Sequence, residues 1–256
     1  MIDVHSHIVP TVDDGAQNID VSIAMIKNAK NIGIDEIFLT SHYMEDGYHT
    51  STEEYESIIQ VLKNRISEEK LEVNLYVGNE VMVFPDLIKH LNEKKFFTLN
   101  NSRYVLIELP LMEEVLYVWN VLFQLKEKGY VPVIAHPERY RCVQENVEYA
   151  KKLIEAGALL QSNVGSILGM YGSQVKNTMK KLLKDKLVDL LGSDSHSPHR
   201  VYDVYLQALN KIKKICNEEY VNTLTTDNPK RIINDETIEK EYSSQSNVRR
   251  RWLWIK

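Results

Sequence analysis

Residues 1–15 read MIDVHSHIVPTVDDG, and two imidazoles, His5 and His7, stand two positions apart where a short apolar run ends. In an extended chain, side chains two apart point to the same face. His5 and His7 can therefore aim at one point, as a pair of metal ligands does. The carboxylates Asp13 and Asp14 follow at once. Groups of the same kind recur along the chain as Ser41-His42, Gly78-Asn79-Glu80, Glu108, His136-Pro137-Glu138-Arg139, Asn163 and Gly192-Ser193-Asp194-Ser195-His196.

The elements that must position these groups follow from periodicity. Strand-like apolar runs cover 2–5, 36–40, 73–77, 104–108, 131–135, 158–161 and 187–191. Amphipathic helical patterns cover 19–31, 52–69, 86–91, 113–128, 145–155, 173–185 and 203–216. Gly33, Gly129 and Gly157 each stand between a helical pattern and the next strand, as helix C-caps do. Strands alternating with helices form parallel sheets. Seven such units without a nucleotide fingerprint favour a barrel over an open sheet. In such barrels the chemistry gathers at the C-terminal ends of the strands, and nearly every predicted strand here ends in a histidine or a carboxylate.

Taken singly, each of these groups has a bland reading as a core or surface residue. Together they do not, because imidazoles and carboxylates converging in a buried place need partners or a cation. The set holds imidazole and carboxylate and no thiolate, which suits manganese, iron or zinc at a catalytic site. Spacing alone leaves Asp13 and Asp14 as alternatives. With either, His5, His7, His42, Glu80, Glu108, His136, Asp194 and His196 exceed the needs of one ion, so two or three ions are implied. Clustered ions with open positions are hydrolase machinery. Arg139 and Arg200, just beyond His136 and His196, would add the forked donors that phosphate oxygens prefer. His49, His90 and His199 read as solvent-facing.

Composition sets limits. The chain has 256 residues and a formal net charge of -5, which argues against a general nucleic-acid binder. No apolar run approaches a membrane span, and nothing near the N-terminus resembles a signal peptide. Cys142 and Cys216 form no disulfide framework, so a reducing, cytoplasmic protein is expected. Neither cysteine has an arginine six positions on (Glu148 and Asn222 stand there), which excludes a cysteine phosphatase loop. No nucleophile elbow or P-loop is present.

The combination IDVHSHI-x-P-x-VDDG, TSH, G-x-E, IAHPERY and GSDSH resembles the PHP (polymerase and histidinol phosphatase) superfamily. Within it, the sequence is similar to bacterial tyrosine-protein phosphatases encoded with capsular and exopolysaccharide genes. The similarity runs from Met1 to about Asn234, including Asp227-Asn228-Pro229. The resemblance implies a distorted TIM-like (β/α)7 barrel and a three-ion centre, usually manganese, with iron or zinc as alternatives. It places His5, His7, Glu80 and Asp194 on one ion, Asp14, His42 and His196 on a second, and Glu80, Glu108 and His136 on a third. It thus chooses Asp14 over Asp13. Arg139 matches the family's phosphate-stabilising arginine, and Arg200 matches another basic position. The implied reaction is attack of a metal-bridging hydroxide on phosphotyrosine, in the tyrosine-rich tail of a cognate bacterial kinase that regulates polysaccharide synthesis. Another PHP phosphoesterase, such as histidinol-phosphatase, is the alternative. One domain is expected over 1–238. A basic and aromatic tail over 239–256 ends RRRWLWIK, and either frays or touches an anionic membrane surface weakly.

Overall fold

The computed structural model describes residues 1–240. The reading of a C-terminal tail therefore lies outside the described residues, apart from Glu239 and Lys240. The strands are β1 (Ile2–Asp3), β2 (Glu36–Leu39), β3 (His42–Tyr43), β4 (Asn74–Val77), β5 (Glu80–Met82), β6 (Tyr104–Glu108), β7 (Val131–Ala135), β8 (Leu159–Asn163) and β9 (Leu190–Gly192). All of their pairings are parallel. β2 and β3 are two parts of one extended stretch, and β4 and β5 of another. The register agrees: Glu36 faces Asn74 and His42 faces Glu80, the same offset on both sides of the breaks. From β5 the ladder continues through β6, β7 and β8 to β9. It returns to the N-terminal strand through Asp194 N–H to His5 O (2.8 Å), His7 N–H to Ser195 O (2.9 Å) and a Ser6–Ser195 bridge. The result is a ring of strand segments, the distorted (β/α)7 barrel.

The helices lie outside this ring. They are α1 (Ile19–Asn31), α2 (Thr52–Glu68), α3 (Leu87–Asn92), α4 (Val118–Glu127), α5 (Arg141–Glu145), α6 (Glu148–Glu155), α7 (Ser173–Lys184), α8 (Val201–Lys213), α9 (Glu218–Asn222) and α10 (Asn228–Ile233). Local chemistry sets their ends. Asn18 Oδ1 caps α1 by accepting the Val21 N–H at 3.0 Å, and Ser51 Oγ caps α2 through Glu54 N–H at 3.2 Å. The expected glycine C-caps are present: Gly33, Gly129 and Gly157 have φ of 85°, 82° and 101°. α2 buries Tyr55, Ile59, Leu62 and Ile66, one stripe at helical spacing.

Alternate strand residues enter different cores. Tyr104 and Leu106 of β6, Val133 and Ala135 of β7, Leu159 of β8 and Leu190 of β9 share a small cluster inside the barrel. Their neighbours Val105, Ile107, Ile134, Leu160 and Leu191 join the larger core under the helices. Continuing in phase toward the C-terminal ends, the inner positions become Glu108, Gln161, Asn163, Gly192 and Asp194. The interior thus turns from apolar to ionisable along its axis. At the N-terminal mouth, Ile232 of α10 and Ile238 join the inner cluster as a plug.

Several expectations shift. Only the second half of the 113–128 pattern is helical, because 109–117 forms a loop instead. The 145–155 pattern is helical from Glu148 as α6, and the short α5 precedes it, ending at Glu145. His42 and Glu80, expected just past strands, lie on β3 and β5. The helices after residue 217 have no strong apolar periodicity and were not expected.

Candidate metal centre

The inner ends of the strands bring all nine expected ligands together. His5 Nε2 and His7 Nε2 face each other at 3.1 Å. Glu80 Oε2 lies 3.2 Å from the first and 3.4 Å from the second, and Asp194 Oδ1 lies 3.5 and 3.4 Å away. Ligands about 2.1 Å from one ion stand roughly 3.4 Å apart in a tetrahedron, so these four donors have the spacing of one coordination sphere. A second group joins His7, Asp14, His42 and His196, with Asp14 Oδ1 3.6 Å from His42 Nε2 and 3.3 Å from His196 Nε2. A third joins His42, Glu80 and Glu108. His136 Nε2 borders it, 3.0 Å from Glu80 Oε1 and 3.5 Å from Glu108 Oε1. Relative to the partition implied by the resemblance, the geometry adds His7 to the second group and His42 to the third.

Close approach of the strands requires glycine at two places. A Cβ on Gly192 would meet His5 Cβ at 2.7 Å and Gln161 Nε2 at 2.9 Å. A Cβ on Gly15 would meet His7 O at 2.2 Å. Gly15 has no positive φ, and what it supplies is room.

A second layer orients the donors. Asp13, the carboxylate that spacing could not separate from Asp14, accepts from His7 Nδ1 at 2.8 Å and from the His42 N–H at 3.0 Å. It is thus a support for two imidazoles. Gln161 Oε1 holds His5 Nδ1 at 2.7 Å, and Asn163 Nδ2 donates to Asp194 Oδ2 at 2.5 Å. Sequence reasoning missed Gln161, although its inward position in β8 was the available signal. It also missed Asp3, whose carboxylate takes the Ser193 N–H (2.8 Å) and Tyr202 hydroxyl (3.1 Å) and so ties the first strand to the last.

The electrostatics fit a cation-binding site. Burial pushes Glu80 up, but His5 and His136 outweigh it and hold Glu80 well below the usual carboxylate range. Burial pushes His5 down, and the charges of Glu80 and Asp194 reverse this, leaving it at about 9. Glu108 is raised to about 8 by burial and by the nearby charges of Glu80 and Asp194. Glu80 Oε2, Glu108 Oε2, His42 Nδ1 and His136 Nδ1 are buried without a hydrogen-bond partner among the described residues. Leaving such atoms unpaired is costly. A bound metal is what the Glu80, Glu108 and His42 atoms fit, while His136 turns its other nitrogen, Nε2, toward the same group.

Above the donors opens a cavity of about 480 Å³. Its lining joins the charged groups with Met44, Met82 and the apolar wall Leu109 to Met112. The loop that replaces the first half of the expected 113–128 helix follows directly from this wall. Arg139 also lines the cavity, with Nη1 donating to Asp194 Oδ2 at 2.9 Å and its guanidinium 4.7 Å from the Tyr171 ring centre. Arg200 is exposed and lines a smaller adjoining cavity, not this one. His49 and His199 are exposed, as expected. His90 is not: its side chain is only 13% exposed, with Nδ1 2.8 Å from the Tyr43 hydroxyl and its ring edge-on to Phe84. The polar helix around it hid this aromatic packing.

A parallel α/β barrel with clustered imidazole and carboxylate donors at its C-terminal strand ends has the architecture of a metal-dependent hydrolase. Residues 1–234 match the family described as "Capsular polysaccharide synthesis, CpsB/CapC", and the chain belongs to that family. It is 32% identical to CapC of Staphylococcus aureus over 256 residues, all of both chains. It is 31% identical to the tyrosine-protein phosphatase YwqE of Bacillus subtilis, over 94% of each chain. A crystal structure from a pair described as YwqE of Bacillus subtilis and CpsB of Streptococcus pneumoniae, metal-dependent tyrosine phosphatases, superposes with a TM-score of 0.89. It covers 94% of this chain and 97% of its own, at 31% identity.

Proposed function

We propose that this chain is a metal-dependent protein-tyrosine phosphatase that acts on the tyrosine-rich tail of a bacterial tyrosine kinase controlling capsular or exopolysaccharide synthesis. The observation that carries the reading is the cavity itself, in which metal donors and Arg139 lie beside an apolar wall. An aryl phosphate has matching halves, one anionic and one apolar.

His5, His7, Glu80 and Asp194 would hold one ion; His7, Asp14, His42 and His196 a second; His42, Glu80, Glu108 and His136 a third. Manganese is proposed for all three, as the resemblance implies; the donors, nitrogen and oxygen without sulfur, suit it as they suit iron or zinc. Bound metal supplies an activated water and neutralises phosphoryl charge. The chain's own groups do the rest. Arg139 presents N–H donors to the phosphoryl oxygens, held flat by Tyr171 and anchored by Asp194. Met44, Met82 and Leu109 to Met112 receive the ring and keep water from it. The departing phenol, with a pKa near ~10, needs little help from an acid. A cytoplasmic location agrees with the free thiols of Cys142 and Cys216, and no helix among the described residues is long and apolar enough to cross a membrane.

The test is a phosphatase assay after metal removal and reloading with manganese, zinc or iron. Phosphotyrosine peptide, phosphoserine peptide and histidinol phosphate are compared. Phosphotyrosine with manganese is expected to be preferred. Equal or faster turnover of histidinol phosphate overturns the assignment in favour of an alkyl-phosphate enzyme.

A further inference from the structure

We infer that the outward face of α4, with Met112 and Leu116 on the loop leading into it, docks an apolar segment of the substrate chain a few residues from the scissile phosphotyrosine. The inference rests on the phosphatase reading and adds a sequence preference to it: large apolar side chains flanking the phosphotyrosine.

A helix packed on a barrel keeps its apolar residues on the inner stripe and polar residues outside. α2 follows this rule: Glu53, Glu56, Gln60, Lys63 and Asn64 are exposed, and Val61 is its single exposed large apolar residue. α4 does not. It buries Val118, Val121, Leu122 and Leu125, yet Leu116, Trp119 and Phe123, spaced by three and four, fall on the opposite side. Leu116 is 80% exposed and Phe123 60%. Trp119 is half-buried between them, its ring 5.4 Å from that of Tyr149. Met112, 68% exposed, opens the same stretch. Of the six large apolar side chains exposed among the described residues, three therefore lie within 112–123. Scattered singly they would be ordinary; gathered along one stretch they mark an interaction surface.

The place of this surface decides its occupant. Met112 also lines the metal-site cavity, as the end of the wall that starts at Leu109. The apolar surface is thus continuous with the wall that receives the phosphotyrosine ring. A peptide leaving the cavity across Met112 meets Leu116 and then Phe123. The seven helical steps between these two cover roughly 10 Å at ~1.5 Å each, the reach of about three extended residues. Two apolar side chains on one extended segment can cover both. Glu113, exposed on the cavity rim and without an ion pair among the described residues, disfavours an acidic residue at the crossing.

Steady-state kinetics of the manganese-loaded full chain test the docking face. The substrates are p-nitrophenyl phosphate and two phosphotyrosine peptides, one with serine and glutamine flanks and one with leucine and phenylalanine flanks. The apolar peptide is expected to show KM lower by about three- to tenfold than the polar one, at similar kcat. The double variant Leu116→Gln, Phe123→Gln changes only exposed side chains. It is expected to raise KM for the apolar peptide to the polar value and to leave turnover of p-nitrophenyl phosphate and metal content unchanged. Phe123→Leu, which keeps the face apolar, is expected to retain most of the difference. Equal KM values for the two peptides in the unaltered chain, with both turned over, overturn the docking face and leave the phosphatase reading standing. An equal loss on every substrate in the double variant also overturns it, because the face would then only support the fold. So does a dimer, seen by light scattering, that the double variant dissolves, since a second copy of the chain would then cover the face. Absence of turnover on both phosphotyrosine peptides, with histidinol phosphate hydrolysed, removes the phosphatase reading and the inference with it.

Discussion

The two ends of the barrel bury similar polar groups and treat them differently. At the N-terminal mouth each has a partner within the chain. The Tyr104 hydroxyl donates to Glu236 O at 2.6 Å and accepts from Ile238 N–H at 3.1 Å. Asp189 accepts from Leu160 N–H at 2.9 Å, and Asn228 Nδ2 donates to Asp189 O at 2.8 Å. At the C-terminal mouth, carboxylate and imidazole atoms of Glu80, Glu108, His42 and His136 are buried without a hydrogen bond among the described residues and crowd against one another, as His42 Nδ1 does against Glu80 Oε2 at 3.1 Å. Polar groups satisfied within the chain hold structure. Polar groups left converging and unsatisfied are arranged for something that arrives from outside.

The largest break in this comparison should come from Glu80, which belongs to two donor groups. Glu80→Gln is expected to lower kcat/KM on the order of 10³-fold and to remove at least one ion per chain, read by elemental analysis. Full metal content in that variant would show that Glu80 is no ligand. A smaller effect is expected one layer out. Asp13→Asn keeps the volume but weakens the bond that orients His7, so metal affinity should fall by ~10- to 100-fold while the fold survives. An unchanged affinity would reduce Asp13 to a loop support.

Protonation gives a third contrast. In the metal-free protein His5 titrates at about 9, above its ordinary value, because the charges of Glu80 and Asp194 overcome burial. At pH 7 it therefore carries a proton that an incoming ion must displace. Metal uptake should release protons, and affinity should climb as pH rises toward 9. Calorimetric titrations in buffers of different ionisation enthalpy measure this, and a heat independent of buffer would contradict it.

The opposite mouth should respond in stability alone. Burial raises Asp189 to about 6, with Lys240 opposing the shift. A carboxyl raised in the folded state favours folding below its unfolded value near ~4 and loses that contribution as pH climbs through about 6. Asp189→Asn should flatten the dependence of Tm on pH between those values and leave metal content untouched. Lost metal in this variant would mean that the two ends are coupled.

What could be read in advance follows the same division. Ligands at strand ends were legible because period-two alternation and βα order are written locally, and His5, Glu108, His136 and Asp194 fall where those rules put them. The supports were less legible. Asp13 and Asp14 are adjacent and chemically identical, and only the fold decides that Asp13 turns to His7 while Asp14 faces His42 and His196. His90 was misread because a polar helix sequence carries no sign of Tyr43 and Phe84, which arrive from other elements. The plug formed by Ile232 and Ile238 likewise depends on contacts far apart in the sequence.

The central claim is that the crowded donors at the C-terminal mouth hold a cluster of ions. Anomalous diffraction from crystals of the manganese-loaded protein tests it most directly. Three peaks are predicted: one among His5, His7, Glu80 and Asp194, one beside Asp14, His42 and His196, and one beside Glu80, Glu108 and His136. A map from fully loaded crystals with no peak at these donors would contradict the account.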